Sequence, residues 1–168
     1  MTHGFLLRGG DFLTIDAPFA VNSAVTAIND NEKIVGVYDT GGALTGGFAG
    51  KLGAASPLNY PSLQNPEVQI TASILNSLNN KAEIVGMETT LFETTNFSVS
   101  KGFLEGGGKF EPSSIGNDDA FFAHFLGNNE SGIVVGSFQD LTGSHGLIAV
   151  PAPLYTNIPF ASMSLARP

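Results

Sequence analysis

The residues able to do chemistry are few and fall into two groups. The first centres on His124, which interrupts the apolar run Phe121-Phe122-Ala123-His124-Phe125-Leu126. An imidazole titrates near neutrality, so a His in a strand beside an acid is a candidate acid–base pair. The acids that could serve it are Asp118 and Asp119, in the loop Gly116-Asn117-Asp118-Asp119, and Asp140. If the protein is an enzyme, His124, Asp118, Asp119 and Asp140 are the expected catalytic residues. The plainer reading is a core or channel histidine beside a solvated acidic loop. The second group is Tyr38-Asp39, Glu88-Thr89 and Phe138-Gln139, with Asp140 next. Each pair follows the same phrase, Ile34-Val35-Gly36, Ile84-Val85-Gly86 or Val134-Val135-Gly136. Strand ends that vary on a recurring scaffold are where binding surfaces are commonly placed. A ring that stacks on C–H faces, beside an acid or amide that accepts from hydroxyls, suits a sugar. Tyr38, Asp39, Glu88, Phe138, Asp140 and His145 are therefore the expected ligand-binding residues, with carbohydrate or another small ligand as occupant.

Other reactions find no support. The absence of Cys removes disulfides, thiolate catalysis and Cys-ligated zinc. No nucleophile elbow, phosphate loop, dinucleotide fingerprint or zinc-helix motif is present. The glycines between Gly102 and Gly108 belong to a hairpin turn, and Asn29-Asp30-Asn31-Glu32 lacks the Gly and distal Glu of a calcium loop. No metal or cofactor is expected. His3 and His145 each precede a glycine, which makes a structural role the first expectation for both. A formal charge of −8, without a Lys/Arg cluster, argues against nucleic acid and anionic membranes as partners. No run reaches the ~18 apolar residues of a membrane helix. The start, Met1-Thr2-His3-Gly4-Phe5, has no basic or apolar region, so no signal peptide is expected in this sequence and a cytoplasmic location stays open.

These residues must be positioned by strands. The three Val-Gly phrases stand fifty residues apart, and each follows an Asn at one offset: Asn29, Asn79 and Asn129. A second phrase recurs as Gly4-Phe5, Gly47-Phe48, Gly102-Phe103 and Gly146-Leu147. A period of this size signals one supersecondary unit used several times. The unit reads as two hairpins, with Gly9-Gly10 as the first turn and Asn29 to Glu32 as the second. In the second copy Leu91 to Ser100 reads as a long insertion, and in the third Ala120 to Leu126 and Gly132 to Phe138 read as strands. Thr71 to Leu78 has some helical propensity, but its counterparts are strand-like and the strand is expected. A fourth copy begins at His145, where Pro159-Phe160-Ala161 before Ser164 matches Pro18-Phe19-Ala20 before Ser23.

The expected fold is all-β, one domain over residues 1–168, with repeats near 3–44, 45–100 and 101–144 and a partial one at 145–168. The phrases Gly4 to Leu7, Phe12-Leu13-Thr14-Ile15-Asp16-Ala17-Pro18, Thr26-Ala27-Ile28-Asn29-Asp30, Ile34-Val35-Gly36-Val37-Tyr38 and His145-Gly146 resemble the bacterial extracellular HAF repeats. The resemblance implies four-stranded antiparallel units arranged like β-propeller blades, and an extracellular or periplasmic location. It implies no reaction. A closed β-barrel or β-trefoil is the alternative architecture. About three and a half units fall short of the about four to eight blades of a propeller. One hairpin therefore lacks its partner, and Phe5, Leu7, Phe12 and Ile15 are expected to need cover from a second copy, most simply in a dimer. The function expected is a non-catalytic ligand-binding protein. A structural interaction module, or a small enzyme with an axial pocket, are the alternatives.

Overall fold

The computed structural model describes residues 1–42, 45–61, 68–113 and 122–150. Thirteen strands and no helix are found among them. β1 (Gly4–Arg8) and β2 (Asp11–Ile15) form a separate hairpin. Gly9 and Gly10 turn it with φ of 61° and 97°, a geometry that side chains with a Cβ resist. β3 (Asn22–Ile28), β4 (Lys33–Asp39), β5 (Thr45–Lys51) and β6 (Ala54–Pro57) then run as an antiparallel meander. β7 (Val68–Leu78), β8 (Ile84–Phe92), β9 (Phe97–Gly106) and β10 (Lys109–Pro112) form a second. β11 (Phe122–Asn128), β12 (Val134–Asp140) and β13 (Gly143–Ala149) form a third.

The Asn residues build the turns between the first two strands of each meander. Asn29 Oδ1 accepts from the backbone N–H of Asn31 and Lys33, and Asn129 Oδ1 from those of Ser131 and Ile133. Asn79 Oδ1 accepts from Glu83 N at 3.0 Å. An Asn side chain can take such backbone bonds where the chain must reverse. The residue three further on is left-handed each time: Glu32, Ala82 and Gly132, with φ of 57°, 65° and 75°.

Three further features recur at a step of fifty. A β-bulge falls between Val25 and Ala27, between Leu75 and Ser77, and between Phe125 and Gly127. Each therefore ejects one residue from the ladder: Thr26, Asn76 or Leu126. The first two tie their meander to the next, through Thr26 Oγ1 to Leu75 O at 2.6 Å and Asn76 Nδ2 to Phe125 O at 2.6 Å. Beside them runs an amide ladder, Asn29 Nδ2 to Asn79 O at 2.9 Å and Asn79 Nδ2 to Asn129 O at 3.0 Å.

The core lies between consecutive meanders. Val35 and Ala49 of the first are buried against Leu75, Leu78, Ile84 and Phe103 of the second. Val85 of the second is buried against Phe125, Val134 and Leu147 of the third. Ile34 and Phe48 are buried against Ile15 and Ala17, with Leu6 beside them, so the first hairpin covers the opposite face of the first meander. Single parallel bridges, Thr45 to Ala72 and Ser100 to Phe122, join the meanders into one sheet, and Ser23 N donates to Thr2 O at 2.8 Å at the corresponding place in front.

The sheet is a linear path from β13 to β3 and does not close, so no barrel forms among the described residues. Leu91 to Ser100 takes the form of a hairpin extension. It lengthens β8 and β9, which stay paired to Phe92 opposite Phe97, with Asn96 turning the tip at φ 51°. One further reading needs correction. Of the residues expected to lack cover, Phe5, Leu7 and Phe12 are 62%, 55% and 71% exposed, but Ile15 is buried at 7%. Ile15 lies on the opposite face of the hairpin from Phe5, because side chains alternate along a strand. The expected partial copy beyond Val150 lies outside the described residues.

Candidate functional site

The strand ends singled out in the sequence occupy one place in each meander. Tyr38 sits between Ser23 and Gly46, Glu88 between Ser73 and Lys101, and Phe138 between Ala123 and His145. One position is thus filled by three different chemistries.

In the first meander a cleft opens beside this position. Its volume is about 360 Å³, and its walls include Tyr38, Asp39, Asn22, Ser23, Thr2 and Thr45. The Tyr38 ring lies over Gly46, where an added Cβ would come within 2.5 Å of Cε1. Gly46 therefore lets the ring lie flat on the strand. The Asp39 carboxylate accepts from Asn22 Nδ2 at 3.0 and 3.2 Å and from Gly41 N at 2.9 Å. The Tyr38 ring and the Asp39 carboxylate, neighbours on β4, leave opposite faces of the sheet and meet the cleft only at the strand end. The Ser23 hydroxyl is buried and accepts from Ala17 N at 3.1 Å, which leaves Thr2 and Thr45 as the open hydroxyls. Asn22, Ser23, Thr2 and Thr45 were not expected from the sequence. They come together because the fold-back of β3 on β4, shifted by the bulge at Thr26, sets Asn22 opposite Asp39.

In the second meander the position is closed. Glu88 is 4% exposed, and its Oε2 accepts from Thr90 Oγ1 at 2.6 Å. Burial raises its pKa, while the Thr90 hydrogen bond and the Lys101 charge oppose that rise. Tyr60, packed on Phe103 and Phe110 with ring centroids 5.4 Å away in each case, is raised by burial and then by the Glu88 charge. Glu88 is therefore a core carboxyl and not an open binding group. Its folded pKa lies above the ordinary 4.5, so the native state holds the proton more tightly than the unfolded chain does. The resulting stability is present below 4.5 and is lost as pH rises through the raised value. Urea unfolding followed from acidic to neutral pH should show this loss, and Glu88→Gln should diminish it. An unchanged pH profile in Glu88→Gln would show that the carboxyl does not titrate differently on folding.

The third meander carries a polar cluster. The rings of Phe138 and His145 stack at 4.9 Å. His145 Nε2 lies 3.1 Å from Asp140 Oδ1 and 3.0 Å from Thr142 Oγ1. Thr142 donates its hydroxyl to Asp140 Oδ1 at 2.6 Å and its N–H at 2.7 Å. These two bonds, then His145, hold the Asp140 pKa at about 2. A relay would need the hydroxyl and the carboxylate on different ring nitrogens. Here both meet Nε2, so the cluster fixes a turn and does not activate Thr142.

The catalytic grouping is not assembled among the described residues. His124 pairs with Ser137, three residues before Asp140 on β12, so the two side chains leave opposite faces of the sheet. Asp118 and Asp119 lie outside the described residues. His3 Nδ1 lies 2.9 Å from the Asp16 carboxylate in an exposed pair. No group of three or more His, Asp or Glu is placed to hold a metal among the described residues. No protein-family model, curated protein or solved structure matches the chain.

Proposed function

We propose that the protein is a non-catalytic carbohydrate-binding protein whose meanders act as stacked, propeller-like repeat units. The reading has it work outside the cytoplasm, as the resemblance to HAF repeats implies, and gain valency by assembling with a second copy. The observation that carries the ligand class is the cleft at this strand end, whose walls include Tyr38, Asp39, Asn22, Thr2 and Thr45. An aromatic wall with a few placed polar groups is the general form of a small-ligand site. The corresponding positions of the other meanders are filled by Glu88 with Lys101 and by Phe138 with His145, so the three sites are not equivalent.

A glycan array followed by titration calorimetry tests the proposal. Tyr38→Ala should weaken the best-bound glycan at least tenfold, and Asp39→Asn should weaken it too. Tyr38 also packs against the buried Ile15, Ala17, Ile34 and Phe48, so the urea midpoint of Tyr38→Ala is measured beside the titration to separate lost binding from lost stability. Absence of any glycan binding, or binding indifferent to both substitutions, would remove the carbohydrate reading.

A further inference from the structure

The contact between meanders uses one row of side chains each time. In the first, Ala27, Val35 and Ala49 lie side by side across three strands, next to the bulge at Thr26. In the second, Ser77, Val85 and Leu104 do the same beside Asn76. Val35 and Val85 are fully buried because the following meander lies on them. The third row is Gly127, Val135 and Ile148 beside Leu126. Here Leu126, Val135 and Ile148 are 55%, 46% and 57% exposed. The bulge residue is also apolar here, where Thr26 and Asn76 donate hydrogen bonds.

The other end of the stack presents the opposite face. On each buried contact, the residue laid over the row from the third strand is Phe103 or Leu147. The Gly-Phe phrase places Phe5 at the same position of the first hairpin, and its ring is exposed, 5.4 Å from that of Phe12. Leu7, directly opposite Phe12, completes an apolar patch. One end is thus a row that elsewhere receives an aromatic or leucine. The other end is the aromatic that elsewhere fills such a row.

We propose that two copies of this chain associate head to tail, the Phe5, Leu7 and Phe12 face of each on the Leu126, Val135 and Ile148 face of the other. The occupant is argued from continuity: the contact extends an interface that the chain already makes twice within itself. It rests on the stacked-unit reading. A head-to-tail contact between different faces closes into a ring when the rotation allows and otherwise grows without limit. About three and a half units per chain make the closed pair the expected product.

Light scattering coupled to size exclusion tests the idea with the full chain. The wild type should run at about twice its 17.5 kDa. Phe12→Lys and Val135→Lys should each be monomeric. An equimolar mixture of the two should restore a dimer, because each variant keeps the face that the other has lost. Leu7→Lys and Ile148→Lys provide an independent pair in case one of the first fails to fold. Restoration in the mixture itself proves that both partners are folded. A monomeric wild type would overturn the proposal, as would single variants that still dimerise. A mixture that stays monomeric overturns it also, since the intact face of each variant would then have failed to bind the intact face of the other. An open series of larger species would overturn the closed pair. The glycan titration fails or succeeds independently of all these outcomes.

Discussion

Gly86→Ala should destabilise the protein by about 4 kcal/mol or more, the range reserved for severe backbone conflict. Gly86 lies in the middle of β8, between Leu75 and Phe103. An added Cβ would sit 2.0 Å from Ile74 O and 3.0 Å from Phe103 Cζ. The first contact is with a backbone carbonyl, which cannot rotate away, and the second with a fully buried ring. Relief would require β7 and β8 to part at the bulge, where the hydrogen bond from Asn76 Nδ2 to Phe125 O is anchored. The same conflict exists at Gly136, 2.0 Å from His124 O, and at Gly36, 2.3 Å from Ala24 O. Gly106→Ala is the control: nothing lies within 4 Å of its added Cβ, and a change within about 0.5 kcal/mol is expected there. Urea midpoints of the two variants check the claim. Equal midpoints would mean that the close approach of the strands is not a constraint on stability.

Asn79→Ala should cost about 3 kcal/mol, more than an ordinary turn residue. The side chain is 3% exposed and bonded at both ends. Its Oδ1 takes Glu83 N at 3.0 Å, and its Nδ2 reaches both Glu83 Oε2 and Asn129 O. Alanine leaves a backbone N–H without its acceptor and cuts the tie to the third meander. Buried polar groups stripped of partners carry most of such a penalty. Asn129→Ala makes the comparison. Asn129 is exposed and caps its own turn, but donates to no further meander among the described residues. Its loss should cost about 1 kcal/mol, as for a cap. The gap between the two variants measures the cross-link, and a melting point lowered by roughly 6–12 °C in Asn79→Ala is the convenient signal. Equal losses would reduce all three Asn residues to local turn formers.

The all-β class was legible because the strand and turn signals are local. Val-Gly phrases, Gly9-Gly10 and the three Asn turns each name their conformation within a few residues. What stayed hidden depends on the bulges. Fold β3 back on β4 without a bulge and Ala24 lies opposite Tyr38, with Ser23 opposite Asp39. The extra residue at Thr26 shifts the register so that Ser23 meets Tyr38 and Asn22 meets Asp39, which builds the cleft. No local signal marks that extra residue, since Thr26, Asn76 and Leu126 share no chemistry. The burial of Glu88 was equally invisible. Gly86-Met87-Glu88-Thr89 reads as an ordinary strand end, and the carboxyl is enclosed by Thr90 on its own strand, Lys101 on the next and Tyr60 from the preceding connection. Similarly, the tip of the β8–β9 hairpin reads as an insertion because Glu93 to Asn96 breaks the strand pattern, while the pairing across Phe92 and Phe97 is a tertiary fact.

The recurring row of Val35, Val85 and Val135 also bears on how such a chain can change its length. Each meander meets only its neighbours, so its fit depends on one face in front and one behind. A segment equivalent to residues 68–112, copied in register, would present a familiar face on each side. Removing that segment would let Phe125 and Val134 fall on Val35 as they now fall on Val85. Gain and loss by whole meanders therefore leave the core chemistry intact, as does lengthening at a hairpin tip such as that of β8 and β9. A change of a few residues between a bulge and its Asn turn instead disturbs bulge, ladder and row together. Size in this architecture is a quantised trait along the stack, open to duplication there and to gradual extension only at the hairpin tips.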